Sequence, residues 1–281
     1  MKITEIAARQ RRQSAFTLME ILVVISIIIV IAAIAIPVFG RMRQNANKVH
    51  AVKIMGNLAS AAMNYSSAHD GQLPDEDASG KEDWGTISNP DQSKAWYNAL
   101  PTQMGSKSPA DFVKEGRTAA FYTKESVLFL PGAQYPDSKK LQKPLFAIAI
   151  NGKLQRKDKD GKKNDVRVNS QNASNTVLFL EQGLPSEPYA KDTHPTIKKS
   201  DYDGAPKGNA KSFVARYTGK GVIGMLDGSV REVAGKDLLD FSGKIIWAAD
   251  APSQILWSLD PKSDPNGKSG GGSGATGTTA Q

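Results

Sequence analysis

From Ile21 to Phe39 the chain reads ILVVISIIIVIAAIAIPVF, nineteen positions with one polar side chain, Ser26, and no charge. Nineteen helical residues rise about 28 Å, close to the roughly 30 Å of a bilayer's hydrocarbon core. A helix apolar all round is stable in a large protein core or in lipid, and this chain is not large. The stretch therefore predicts a membrane span. Past it the pattern turns periodic. Residues 40–68 lack proline, and Ala51, Met55, Leu58, Ala62 and Tyr65 recur at spacings of 4, 3, 4 and 3, one face of a helix that should pack on a globular domain. Gly71 and Pro74 predict its end, giving one long helix from Phe16 to about Ala68.

Residues 75–125 are polar and turn-rich, with Trp84, Trp96, Tyr97, Phe112 and Phe121 spaced as anchors of a small core. Short helices are predicted over 91–99 and 108–115. Five apolar runs then read as strands: Ser126–Leu130, Pro144–Ile150, Thr176–Glu181, Gly221–Leu226 and Ser229–Val233. The last two are separated by Asp227-Gly228, a dipeptide that favours a type I′ hairpin. The fold class is α+β, a long helix against a small antiparallel sheet. Ile245-Ile246-Trp247 and Ile255-Leu256-Trp257 are expected as the last core contributions. The charged stretch 153–167 reads as a loop, and the Gly/Ser-rich stretch 261–281 as a disordered tail.

Composition narrows the chemistry. The chain has no cysteine, which removes disulfides, thiolate metal sites and cysteine nucleophiles. Its net charge is +8 over 281 residues, of which Lys2, Arg9, Arg11 and Arg12 against Glu5 place +3 in the first fifteen. The remaining surplus reads as a solvated basic surface rather than a nucleic-acid interface.

The apolar run departs from a secretory signal peptide in three ways. It continues into Arg41, Met42 and Arg43 without a small-residue cleavage site. Glu20 stands at its edge, where a carboxylate is costly and a partner is expected. Pro37 lies inside it, removing a backbone donor and predicting a kink or local melting.

The stretch Arg11-Arg12-Gln13-Ser14-Ala15-Phe16-Thr17-Leu18-Met19-Glu20 resembles the leader and mature start of type IV pilins and type II secretion pseudopilins. The resemblance implies a leader over 1–15 and cleavage between Ala15 and Phe16 by a prepilin peptidase, with N-methylation of Phe16. Alanine stands where that family has glycine before the cut. Glu20 becomes the fifth mature residue, the assembly glutamate, and Pro37 the twenty-second, the helix-melting proline. Further on, Ala215-Arg216-Tyr217 followed by Asp227-Gly228 resembles a motif of prepilin-processing-associated proteins. Tyr217 and Ser229 occupy its histidine positions, so only the hairpin is carried over.

The resemblance implies a pilin helix over 16–68, an extracytoplasmic domain over 69–260 and a single pass through a bacterial inner membrane. The N terminus is then cytoplasmic and the domain periplasmic. The implied function is a structural subunit of a type IV pilus or of a type II pseudopilus for protein secretion. Its implied partners are like subunits, the peptidase, an assembly platform and the inner membrane. The alternative is a membrane-anchored extracytoplasmic binding protein.

Other motifs carry less. Gly219-Lys220-Gly221-Val222-Ile223-Gly224 matches G-x-G-x-x-G but runs into a hairpin, not a helix. Gly267-Lys268-Ser269-Gly270-Gly271 matches G-x-S-x-G within a low-complexity tail. His50, His69 and His194 lack ligand spacing. Asp158, Asp160 and Asp165 around Gly161 are a candidate calcium set, opposed by Lys157, Lys159, Lys162 and Lys163. No nucleophile–base pair stands out, so neither catalysis nor an obligatory cofactor is expected.

Overall fold

The computed structural model describes residues 17–75, 83–137, 142–154, 172–246, 255–258 and 265–266. They divide into two compact units between Arg43 and Gln44, each taken by itself here. The first contains the start of helix α1, which spans Leu18–Ala68 in all. Its large apolar side chains between Ile21 and Phe39 are exposed, from 46% at Val23 to 72% at Ile36. This is the one helix among the described residues long and apolar enough to cross a membrane. Pro37 sits inside it without interrupting it, so the local melting expected from the sequence is not present. Proline deprives only the Ala33 carbonyl of its N–H partner, and the helix runs on through Val38, Phe39 and Gly40.

In the second unit α1 buries Ala51, Ile54, Met55, Leu58, Ala59, Ala61, Ala62 and Ser66. Tyr65, the last member of the predicted stripe, is half-buried and stacks on His69 at a centroid distance of 3.8 Å. The helix ends in a Schellman turn: Asp70 has φ 53° and the Gly71 N–H donates to the Ser66 carbonyl at 2.8 Å.

Short helices α2 (Trp84–Ile87), α3 (Trp96–Gln103) and α4 (Pro109–Lys114) follow. The predicted helix over 91–99 resolves into a 3₁₀ turn at Pro90–Gln92 and then α3, which begins only at Trp96. The predicted helix over 108–115 is α4, with Ser108 and Asp111 forming a capping box. The aromatics of this region are core anchors. Trp96 lies 5.3 Å from Phe179 and 5.9 Å from Phe146, and its indole N–H donates to the Pro206 carbonyl at 2.9 Å.

Five strands form one sheet: β1 (Ile148–Asn151), β2 (Val177–Glu181), β3 (Lys207–Gly208), β4 (Lys220–Met225) and β5 (Val230–Ala234), in the order β3-β1-β2-β4-β5. It is mixed rather than wholly antiparallel, because β3 runs parallel to β1 with Ile150 opposite Lys207. Two residues without a periodic pattern carry no strand signal, and β3 is held by its neighbours. A further strand expected at Ser126–Leu130 is a series of turns. The same tetrapeptide, Val-Leu-Phe-Leu, occurs at 127–130 and at 177–180, and only the second copy is a strand. There β1 and β4 supply partners on both sides. In the first copy the Phe129 N–H turns back to the Ser126 carbonyl and the Leu130 N–H donates to the Tyr135 hydroxyl.

Both faces of the sheet are covered. Ile148, Ile150, Phe179 and Val222 belong to the core with α1, Trp96, Tyr97 and Phe121. Ala149, Leu180, Ile223, Met225 and Val233 belong to a second core with Tyr202, Phe213, Leu238, Leu239, Ile245 and Trp257. Burial on both sides explains why β1 and β2 lack polar alternation. The hairpin joining β4 to β5 has a three-residue loop, not the expected type I′ turn. The Met225 carbonyl accepts from the Gly228 N–H at 3.1 Å, and only Gly228 has positive φ, 90°. From the stretch expected as a tail, Asn266 docks on Ile245 through bonds of 2.7 and 3.0 Å. Trp247 lies outside the described residues.

Candidate processing and assembly site

The described chain begins at Thr17, so Ala15 and Phe16 lie outside it, as do Asp158, Asp160 and Asp165 of the calcium candidate. At the first turn of α1, Thr17 and Glu20 satisfy each other. The Thr17 N–H and hydroxyl donate to Glu20 Oε2 at 2.8 and 2.9 Å, and the Glu20 N–H donates to Thr17 Oγ1 at 3.2 Å. This is a capping box, which satisfies donors that every helix N-terminus leaves open. The signal, threonine followed three residues later by glutamate, stood in the sequence beside the features that drew attention to Glu20. Both bonds to the Glu20 carboxylate fall on one oxygen, Oε2. Among the described residues, Oε1 has no hydrogen-bond partner.

Behind this cap α1 presents a continuous apolar surface, broken only by Ser26, whose hydroxyl donates to the Leu22 carbonyl at 2.8 Å and so shows lipid no free donor. The segment offers a hydrophobic cylinder with one acid at its start. Such a surface can insert in a bilayer or bundle with copies of itself.

The second constellation predicted from sequence, around Arg216 and Tyr217, is buried. Arg216 Nε and Nη2 donate to the two oxygens of Glu187, each at 2.7 Å, Nη2 also reaches the Gln182 carbonyl at 2.5 Å, and Nη1 reaches Glu181 Oε1 at 3.4 Å. Tyr217 donates to Glu181 Oε1 and the Val222 N–H to Oε2, both at 2.8 Å. Glu187 also accepts from the N–H groups of Gln134 and Leu184, at 3.0 and 2.9 Å. The three charged side chains are at most 1% exposed. Burial pushes the Glu181 carboxyl above its ordinary range, against the opposing pull of Arg216. Burial, with the adjacent Glu181 charge, likewise raises the Tyr217 phenol.

The charged side chains of this network do not open to solvent, so they tie segments together. It joins β2, the 182–187 turn, the 134 loop and the start of β4. Sequence reading missed Glu181 and Glu187. The one clue was an acid closing the otherwise apolar run Val177-Leu178-Phe179-Leu180-Glu181. Ser229 likewise turns inward on its own loop, donating to Asp227 Oδ1 at 2.6 Å.

Of the glycines in the G-x-G-x-x-G match, the first serves a turn and the other two serve close packing. Gly219 has φ 79°, a Cβ on Gly221 would lie 2.3 Å from the Val214 carbonyl oxygen, and one on Gly224 would lie 2.9 Å from Met55 Cγ. The motif lets a turn form and lets neighbouring segments approach. It holds no phosphate-binding helix start.

No curated relative and no solved structure matches the chain. The family model described as the prokaryotic N-terminal methylation motif matches residues 10–36, covering the end of the expected leader, Glu20 and most of the apolar run. That motif leads into a long exposed apolar helix, and the second unit carries a small mixed sheet, so the chain has a prepilin-type N terminus and an α+β, pilin-like architecture.

Proposed function

We propose that the chain is a structural subunit, cleaved between Ala15 and Phe16, methylated on Phe16 and polymerised through α1 into a type IV pilus or a type II secretion pseudopilus. The observation that carries this reading is the disposition of Glu20. One of its oxygens caps its own helix, and the other has no partner among the described residues. An unpartnered carboxylate oxygen at the head of an apolar cylinder suits an amine brought by a neighbouring chain, and the new N terminus of a second copy supplies one. In a dry helix bundle such a pair fixes register even where its net stabilisation is small.

In this reading the apolar segment first holds the subunit in the inner membrane, N terminus in the cytoplasm and the second unit in the periplasm. It then leaves lipid for the filament core. The methylation motif supports processing by a prepilin peptidase. The work is mechanical, and the reading requires neither calcium nor another cofactor.

Mass spectrometry of protein from the native membrane tests the processing step. The expected N terminus is N-methylated Phe16, and an intact Met1 on assembled subunits overturns it. Cells carrying Glu20→Ala should insert the protein normally yet yield no filament. Wild-type filament levels from that variant would leave only a membrane anchor, with the second unit as a displayed binding domain.

A further inference from the structure

Among the described residues, Phe241 is the single large apolar side chain outside α1 that is exposed, and its exposure is complete at 104%. It stands on a rigid turn. Asp240 Oδ1 accepts from the Ser242 N–H, the Ser242 hydroxyl and the Lys244 N–H at 2.8, 2.7 and 2.9 Å, and the Asp240 N–H donates to the Lys244 carbonyl at 2.9 Å. Gly243, at φ 78°, closes the loop against Thr196, where a Cβ would lie 2.6 Å from the threonine hydroxyl oxygen. A flexible loop would let the ring fold back onto the protein. This one holds it out in water.

A counterpart lies elsewhere on the same unit. Between α1 and the end of α3 runs a groove of about 300 Å³ lined by Asn57, Ser60, Ala61, Asn64, Gln103 and Met104. Its floor is helical backbone opened by Ala61. The Gln103 amide, oriented to satisfy both groups, donates to the Ala61 carbonyl and accepts from the Tyr65 N–H, each at 3.0 Å. Met104 supplies a soft, adaptable wall of the kind that packs on aromatic rings. From Ile54 to Ala68 no residue of α1 carries a charge.

Knob and groove lie on opposite sides of the sheet. The turn at 240–244 grows from Leu239 and Ile245, which belong to the core on the far face, whereas the groove belongs to α1. A ring on one side and a receptacle on the other cannot meet within a single copy. Between copies they make a head-to-tail contact, the kind that propagates as an open helical array instead of closing as a dimer. Charge argues for the same place. Copies without the leader are still net basic and repel one another, and the groove is a region where a second copy meets no like charge.

We infer that Phe241 of one subunit seats in the α1–α3 groove of the next, giving the outer layer of the filament its own heterologous contact. The inference rests on the polymer reading above and adds to it the surface through which the second units join.

The chain has no cysteine, so introduced thiols are unique. Full-length double variants, Lys244→Cys with Asn64→Cys, keep the ring and Met104 and would be assembled into filaments and oxidised. A ladder of covalent dimers, trimers and longer species on a non-reducing gel is expected. Each single variant should stay monomeric, and co-assembled singles should stop at dimers. Two results overturn the contact while leaving the polymer reading intact: wild-type-like filaments with no ladder, or dimers from Lys244→Cys alone. If the wild-type chain forms no filament under assembly conditions, the polymer reading fails first. A separate variant, Phe241→Asp, should lower filament yield several-fold without moving the unfolding midpoint, since the ring touches nothing in its own subunit. An unchanged yield counts against the contact.

Discussion

Arg216 grips Glu187 through two hydrogen bonds of 2.7 Å in a site where neither side chain is more than 1% exposed. One guanidinium faces two carboxylates there, and the second, Glu181, has a longer contact to Arg216 at 3.4 Å together with bonds from the Tyr217 hydroxyl and the Val222 N–H. A buried pair of this kind contributes little net stability relative to apolar residues, but breaking it by removing one partner is costly. Arg216→Met should therefore leave two unpaired buried acids and destabilise the second unit by about 3–5 kcal/mol. Arg216→Lys keeps the charge but loses the fork, and should fall in between. Chemical denaturation of the full-length chain in detergent checks the order. Equal stability of Arg216→Met and wild type would remove the network from any structural role.

Glu181 gives this network a pH signature. Burial raises its carboxyl in the folded state above the ordinary value of 4.5, so the folded protein holds that proton more tightly than the unfolded chain. Stability from this group is then greatest below the unfolded value and declines as pH rises through the folded one. Its slope is at most about 1.4 kcal/mol per pH unit. Acidification from neutrality should stabilise wild type relative to Glu181→Gln, which cannot take up the proton. Unfolding midpoints of the two proteins between pH ~5 and ~7 decide it. Parallel curves would mean that Arg216 and Tyr217 fully offset the burial.

The glycines that imitate a nucleotide-binding motif give a graded test. At Gly221 an added Cβ would meet a backbone oxygen at 2.3 Å, and at Gly224 the Cγ of the Met55 side chain at 2.9 Å. Backbone cannot move aside as Met55 can. Gly221→Ala should cost about 3 kcal/mol or more and Gly224→Ala about 1 kcal/mol, within the range for overpacked cores. Reversal of that order in thermal unfolding would contradict the packing assigned to β4.

Why some elements were legible and others not follows from where their information lies. The apolar run and the stripe at Ala51, Met55, Leu58 and Ala62 are repeated signals, and repetition survives local noise. The two Val-Leu-Phe-Leu segments mark the limit, since identical residues become a strand at 177–180 and turns at 127–130. Only the presence of partner strands separates them, and partners are not written locally. The same holds for Glu181 and Glu187, whose roles depend on an arginine 35 and 29 positions away. Asp227-Gly228 was read correctly as a hairpin but assigned the wrong turn, because a three-residue loop also places glycine at its left-handed position. At the start of α1 the sequence singles out Glu20 by its position beside the apolar run, whereas its capping partner Thr17 is told only by the three-residue spacing.

Thr17 and Glu20 allow capping to be separated from charge. Thr17→Ala removes the acceptor for the Glu20 N–H and one of the two donors to the Glu20 carboxylate, and an N-cap of this kind is worth about 1 kcal/mol. The helix should fray by a turn while the carboxylate stays available to a neighbour, so filaments should form at reduced yield. Glu20→Gln does the opposite. Its side-chain oxygen still accepts from the Thr17 N–H, so the cap persists, but no charge is left to meet an incoming amine. Membrane insertion should be unchanged and filaments absent, as measured by carbonate extraction and by shearing of assembled fibres. If Glu20→Gln assembles as wild type does, the acid serves its own helix alone and register is set elsewhere along α1. If Thr17→Ala abolishes assembly as completely as Glu20→Gln, an ordered first turn is itself the condition for polymerisation, and the charge acts only through it.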